Sequence, residues 1–410
     1  MRMSKKDKVA LVPKLRFPEF NNEADWKKKY IGEYLKESRI KGNKGDTAKK
    51  LTVKLWGQGV FEKKETLKGS QNTQYFRRKS GQFIYSKLDF LNQAFGIVPN
   101  YLDGYESTVD LPCFDVSENI NVRFLLEYVQ RTNFYKKYGE MADGGRRAKR
   151  IQVDTFLGFP IYTPNLKEQQ KIASCLSSLD GLINAEDKKL KALKAHKKGL
   201  MQKMFPADGK TVPEWRFPEF RDSGEWEECT FGDMATFFNG RAFKQDELLQ
   251  SGKYRVLRVG NVFSNNSWYY SNLELDENKY CENGDLLYAW SATFGPKIWH
   301  GEKVIYHYHI WKVSRNKDVA QKFLFVLLDR ETEKMKSQSA NGLGLLHITK
   351  GTIENWKCYK PKFEEQEKIA DCFSSIDTLI TSQAEKIESL KKHKKGLIQG
   401  LFPSIEEVSE

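Results

Sequence analysis

EQQKIASCLSSLDGLINAEDKKLKALKAHKKGLMQKMFP, running from Glu168 to Pro206, is written again from Glu365 to Pro403 as EQEKIADCFSSIDTLITSQAEKIESLKKHKKGLIQGLFP. The offset stays at 197 residues, aligning Ile172 with Ile369, Cys175 with Cys372, Asp180 with Asp377, His196 with His393 and Phe205 with Phe402. Apolar residues fall on a four-three rhythm: Ile172, Leu176, Leu179, Ile183, Leu190, Leu193, Leu200 and Met204 in the first copy. The second gives Ile369, Phe373, Ile376, Ile380, Ile387, Leu390, Leu397 and Leu401. That spacing is a coiled-coil seam, narrower than the stripe of an ordinary globular helix. Glu186 and Lys197, then Gln383 and Lys394, are polar interruptions of the seam; such residues weaken a helix pair but fix its register. A helix over 169–204 would be about 54 Å long. Each rod needs a partner for its seam, and the expected partner is the other copy.

The ends of the rods carry matching signals. Glu168 and Glu364-Glu365 stand at the N-termini, and lysine clusters around His196 and His393 stand near the C-termini, both favourable to the helix macrodipole. Asn165 and Glu168 form a candidate capping pair, which Lys362 does not reproduce in the second copy. Upstream, VPKLRFPEF (Val12–Phe20) returns as VPEWRFPEF (Val212–Phe220), with Trp26 echoed by Trp226 and Gly32 by Gly232. The chain is one module written twice, a tandem duplication and not a solenoid. The expected organisation is 1–163 entry segment and first body, 164–206 long helix, 207–360 second entry segment and body, and 361–410 long helix and tail.

The bodies resemble each other less than their frames do. Strands are expected at Leu51–Trp56, Gln82–Ser86, Tyr254–Val259, Asp285–Trp290 and Lys303–Val313. Helical pieces are expected at Val122–Thr132 and Ala320–Lys336, and a last strand enters Pro164 or Pro361. Gly81–Tyr85 resembles Gly284–Tyr288, and Phe95-Gly96 resembles Phe294-Gly295, so the two bodies are expected to share a mixed α/β (α+β) fold.

With 410 residues and a net charge of +14, the chain is long enough for two or three cores and suited to a polyanionic partner. No apolar run reaches membrane-span length and the first residues lack a signal-peptide core, so a cytoplasmic protein without membrane contact is expected. Six scattered cysteines with no Cys-x-x-Cys pair suggest neither a disulfide framework nor a zinc knuckle.

Catalytic signatures fail one by one. Gly209-Lys210-Thr211 lacks the glycine that would open a phosphate loop, because Met204 stands there. Gly57-x-Gly59 and Gly342-x-Gly344 lack the third glycine of a dinucleotide turn. No Pro-Pro pair exists, hence no Asn/Asp-Pro-Pro-Tyr element of an amino-methyltransferase. Glu62 and Lys64 with Asp46 imitate a nuclease triplet, one expected by chance in so charged a chain. His307 and His309 alternate along an expected strand face and can be read as a metal pair or as ordinary half-exposed strand residues.

Nucleic-acid signals are stronger. In the first body Arg146, Arg147, Lys149 and Arg150 crowd one Gly-rich loop, and Arg77, Arg78 and Lys79 precede a strand, with Lys87 just after it. Such clusters suit a phosphate backbone, the alternative being a solvated loop. In the second body Asn239, Arg241, Lys244, Arg258, Asn261, Lys297, His347 and Lys350 are the candidate donors. Arg and Asn make bidentate base contacts, whereas Lys mostly positions on phosphate. Trp268, Tyr269, Tyr270, Trp290, Trp299 and Trp311 are stacking candidates whose strand spacing equally fits a core.

The duplicated Glu-Gln-x-Lys-Ile-Ala helix ending in His-Lys-Lys-Gly-Leu and Phe-Pro, with Arg-Phe-Pro-Glu-Phe opening each half, resembles the specificity (S) subunit of Type I restriction-modification systems over essentially the full length. The resemblance implies two target-recognition domains separated by two long antiparallel helices with pseudo-twofold symmetry, Leu166–Met204 matching the central conserved region and Phe363–Leu401 the C-terminal one. It implies a non-catalytic subunit that reads an asymmetric bipartite duplex DNA site. Its seam residues would pair the helices, which would also dock two methyltransferase subunits and, through them, motor-nuclease subunits. S-adenosylmethionine, ATP and Mg²⁺ are expected on those partners and no cofactor or metal in this chain. A rod of fixed length further suggests a spacer tolerant of sequence but not of length. The rival reading is a coiled-coil scaffold whose bodies bind proteins.

Overall fold

The structure, a computed structural model, describes residues 11–64, 69–140, 150–263, 265–291, 293–339 and 348–403. Its two compact units do not follow chain order. One takes residues up to Glu186 together with those from Lys386 onward, and the other takes Asp187–Glu385. The long helices, Leu166–Met204 and Phe363–Leu401, are 39 residues each, and each contributes to both units.

In the first unit, an antiparallel sheet has the order Leu35–Ser38, Cys113–Val116, Phe83–Tyr85, Phe95–Ile97. In the second, Ala235–Asn239, Ile310–Arg315, Leu286–Ala289 and Gly295–Ile298 repeat that order and orientation. The paired segments noted in the sequence are the third and fourth strands of each sheet. Gly81 and Gly284 precede the third strand with φ of +83° and +96°, a left-handed turn that glycine adopts without strain. Each unit also pairs its first strand with its last, Lys27–Tyr30 with Pro160–Thr163 and Glu227–Thr230 with Lys357–Lys360, so the chain enters its long helix from the same place twice. In the second of these ladders Cys229 and Cys358 face each other with sulfurs 3.8 Å apart.

The remaining sheets are unlike. The first unit has a three-stranded sheet of Lys41–Lys44, Gln74–Arg77 and Glu106–Ser107, and a hairpin of Leu51–Lys54 with Gly59–Glu62. The second has a four-stranded sheet in the order Tyr269–Ser271, Tyr254–Leu257, Val304–Tyr306, Tyr280–Cys281, with one parallel pair. The expected single strand Lys303–Val313 is therefore two, Val304–Tyr306 and Ile310–Arg315, in different sheets. The break at 307–309 carries no Gly, Pro or Asn, so the run gave no punctuation to mark it. The expected helical pieces are helices Val122–Val129 and Gln321–Ser339; a further helix, Thr132–Gly139, was not anticipated.

Each long helix starts inside a body core. Ile172 and Leu176, like Ile369 and Phe373, are buried among body residues, so this part of the seam serves the body as well as the other helix. Leu179, Ile183, Leu190, Leu193, Ile380 and Leu390 are half-buried, while Ile376 and Ile387 are buried. Within each unit the two helix portions run antiparallel: Asp180 meets Lys394 at 2.8 Å in one, and Lys197 meets Asp377 at 2.7 Å in the other. These are the same pair under the 197-residue repeat, and Glu186 adds Lys386 at 2.5 Å. The lysines that interrupt the seam are thus matched by carboxylates on the opposing helix, which fixes register by complementarity.

Lys394 also reaches the buried Glu127 at 3.2 Å. Burial pushes the Glu127 carboxyl above 4.5, and Lys394 pulls it back down. A raised carboxyl costs nothing below its unfolded value; the cost grows as pH rises from there and is complete above the folded value. Lys394→Met is therefore expected to destabilise the first unit by about 1–3 kcal/mol at neutral pH and by clearly less near pH 4. Denaturant titrations at both pH values check this, and equal losses would sink the assignment.

The two repeated motifs meet in a buried ion pair. Arg16 of the first Arg-Phe-Pro-Glu-Phe grips Glu168 through two bonds of 2.9 and 2.7 Å, and Arg216 grips Glu365 through two of 2.7 and 2.6 Å. Asn165 caps the first helix as expected, its Oδ1 accepting from the Glu168 N–H at 2.9 Å, but the Glu168 carboxylate faces Arg16 and does not complete a capping box. Gln169 accepts from the Asn121 N–H and donates to the Pro164 carbonyl; Gln366 does the same with Ala320 and Pro361. Each glutamine ties helix start, last strand and body helix together. The Phe-Pro ends are exchanged: Phe402 packs on Trp26, Phe124 and Tyr128 in the first unit, and Phe205 on Trp226, Phe323 and Phe373 in the second. Arg131 covers Phe402 and donates to the Pro403 carbonyl, as Arg330 covers Phe205 and donates to that of Pro206. Among the described residues no helix is long and apolar enough to cross a membrane.

Candidate DNA interface

In the first body the expected cations separate. Arg77 and Lys79 are exposed, at and just beyond the end of strand Gln74–Arg77. Arg78 between them corrects the expectation of a DNA contact. It is 2 % exposed, and its guanidinium donates to Ser107 Oγ, the Ser38 carbonyl and the Thr108 and Leu111 carbonyls. It turns inward just past the strand end, and those acceptors make its burial tolerable. Lys87 and Arg150 come together around Asp110, through the Lys87 N–H to the Asp110 carbonyl and the Arg150 guanidinium to its carboxylate at 3.4 Å. Arg146, Arg147, Lys149 and His347 lie outside the described residues, as do Gly342 and Gly344.

In the second body a denser constellation forms where three segments cross. The Arg241 N–H donates to the Tyr306 carbonyl at 2.9 Å, the Tyr308 N–H to the Arg241 carbonyl at 3.0 Å, and the His307 N–H to the Leu257 carbonyl at 2.9 Å, which places Arg258 alongside. Gly240 permits the crossing, because a Cβ there would lie 2.4 Å from the Tyr306 and His307 carbonyl oxygens. Arg241 is braced by Glu247 at 2.7 Å, and Arg258 lies 4.3 Å over the Tyr269 ring. The Glu247 carboxyl is held below its usual range, first by the Lys244 N–H and then by Arg241. Phe243 stacks on His307, and Tyr308 and His309 continue the aromatic group to Trp290.

His307 and His309 thus occupy a turn, not one face of a strand, which corrects the alternating-ligand geometry. Among the described residues no group of three or more potential metal ligands gathers. The His307 imidazole is pushed down to about 4 by burial, then by His309 and Arg258, and is neutral at pH 7. Asn261 is occupied by its own loop, accepting from the Arg258 N–H and donating to the Asn265 and Ser267 carbonyls. Asn239 accepts from Trp311 Nε1 at 2.8 Å. Lys244 is exposed on the Arg241 segment, Lys297 is exposed on strand Gly295–Ile298, and Lys350 pairs loosely with Glu354 at 3.5 Å. Of the stacking candidates Trp311 is core, and Trp268, Tyr269, Tyr270, Trp290 and Trp299 are half-buried. Phe243, Glu247 and Tyr308 were missed; only the Asn239-Gly240-Arg241 punctuation marked the spot.

Comparison with known proteins supplies the context. The model of the Type I restriction modification DNA specificity domain matches twice, at residues 23–195 and 223–392. The chain belongs to that family. Among specificity subunits, that of the Type I restriction enzyme MjaVIII of Methanocaldococcus jannaschii is 25% identical, over 98% of this chain and 96% of that one. The putative MjaX specificity subunit of the same organism is 27% identical over 68% of this chain and 66% of its own. In fold, the S subunit from M. genitalium aligns with a TM-score of 0.60 at 15% identity, over 96% of this chain and all of that one. A chain described under complex assembly and conformational transition of the type I R-M system gives 0.57, over 92% of this chain and 98% of its own. Both family matches run from the first strand of a body well into its long helix, so each specificity domain includes a rod portion as well as a recognition body.

Proposed function

We propose that the two bodies read the two unlike halves of an asymmetric bipartite duplex DNA site, while the long helices dock two methyltransferase subunits and, through them, motor-nuclease subunits. One observation carries this reading: two bodies with the same main sheet and the same frame differ in their second sheets. Identical readers would see identical half-sites; unlike readers on a repeated frame select unlike ones. The net charge of +14 favours duplex DNA as the partner. The subunit is non-catalytic in this reading and acts in the cytoplasm, with S-adenosylmethionine, ATP and Mg²⁺ held by its partners.

The test is to express the full chain with its methyltransferase subunits and map the modified sites across a genome. Exchanging residues 21–163 for the corresponding body of another specificity subunit is expected to replace one half-site completely and leave the other unchanged. Loss of both half-sites, or a motif that does not change, would refute independent reading.

A further inference from the structure

The crossing point around His307 has the chemistry of a base reader more than of a phosphate clamp. Its two guanidinium groups are held in place, Arg241 by Glu247 and Arg258 by the face of Tyr269. Among the described residues, the Nε groups of both arginines are buried without a hydrogen-bond partner. A buried donor without a partner is unfavourable, and an acceptor that reaches the guanidinium offsets it. These donors lie beside a neutral imidazole and the Tyr308 ring, 39% exposed.

Resting on the reading above, we propose that Arg241, Arg258, His307 and Tyr308 form the base-reading element of the second body, and that it selects a half-site containing guanine. Guanine presents two acceptors, O6 and N7, side by side on its major-groove edge, and the guanidinium fork is their geometric match. Two pre-oriented forks beside one imidazole fit a duplex segment in which guanine fills at least one fixed position. His307 offers one donor or acceptor to an adjacent base edge, and Tyr308 an apolar surface suited to a thymine methyl. Asn261 is left to a structural role by the bonds that occupy it, and Asn239 has its Oδ1 on Trp311.

The test uses the full chain with its methyltransferase subunits, selecting from random duplexes. Arg258→Lys and Arg241→Lys keep the charge and lose the fork. Each is expected to make one guanine position of the second half-site degenerate, with discrimination falling about 10–100-fold and the first half-site intact. Tyr308→Ala, at an exposed ring, provides a variant that leaves the buried framework alone and is expected to relax a neighbouring position. A selected motif unchanged in all three variants overturns the proposal. So does Arg258→Gln that weakens every sequence equally while lowering the salt slope by about one contact, the mark of a phosphate ligand. If the unmodified protein selects no sequence at all, the reading of two DNA half-sites fails and this one with it.

Discussion

Glu365→Ala is expected to destabilise the second unit by about 3–5 kcal/mol, the usual result of removing one partner from a buried ion pair. Arg216 would keep its charge, 8 % exposed, with the Gly224 carbonyl as its remaining hydrogen-bond partner among the described residues. The Arg216→Met, Glu365→Leu double variant is expected to recover most of the loss, because apolar replacement of a whole buried pair is often neutral or stabilising. Glu168→Ala tests the same pair in the first unit, where Arg16 retains the Glu23 and Ala24 carbonyls as well. Its loss should accordingly be the smaller of the two. Denaturant unfolding of the full chain checks all three; a Glu365→Ala loss under 1 kcal/mol would remove the ion pair as the reason the two motifs recur together.

Phe402→Ala carries the second large effect, about 3–5 kcal/mol for a buried aromatic truncated to alanine. The ring is 2 % exposed and lies 6.0 Å from Trp26, 5.3 Å from Phe124 and 5.8 Å from Tyr128, with Arg131 on it at 4.8 Å. The location of the damage matters more than its size. Although Phe402 ends the second copy, the loss of amide protection should fall on helix Val122–Val129 of the first body. Phe205→Ala, at the end of the first copy, should instead expose Gln321–Ser339 in the second. Hydrogen exchange measured on both variants distinguishes them, and protection lost in the mutated copy's own body would disprove the exchange of ends.

How much of this was legible in advance can be traced residue by residue. The long helices were plain because a heptad pattern needs only local order and recurs at a fixed interval. The common main sheet was visible through Gly81 and Gly284, whose left-handed turns demand glycine in both bodies. Arg78 was misread because clustered charge in a sequence does not say which residue of the cluster turns inward onto buried carbonyls. The Lys303–Val313 run was misread because the break falls in alternating Tyr and His, a pattern that also fits a half-exposed strand, with no Gly, Pro or Asn to punctuate it. The Arg241–Arg258–His307 cluster draws on three segments far apart in the chain, and no spacing rule links them.

The amino-acid order alone established that this protein is a duplicated module, with two rods, two related but unlike bodies and a basic balance, because each of those is a local or periodic property. It also showed that Arg16 and Glu168 recur as Arg216 and Glu365, without saying why. Only the folded chain joined each arginine to its glutamate, sent each Phe-Pro end into the other copy's body, and turned Arg78 inward while gathering Arg241 and Arg258. Those outcomes depend on which surfaces exclude water together, and that choice is made between segments 17 residues apart in one case (Arg241 and Arg258) and 152 in another (Arg16 and Glu168), where sequence pattern carries no distance information.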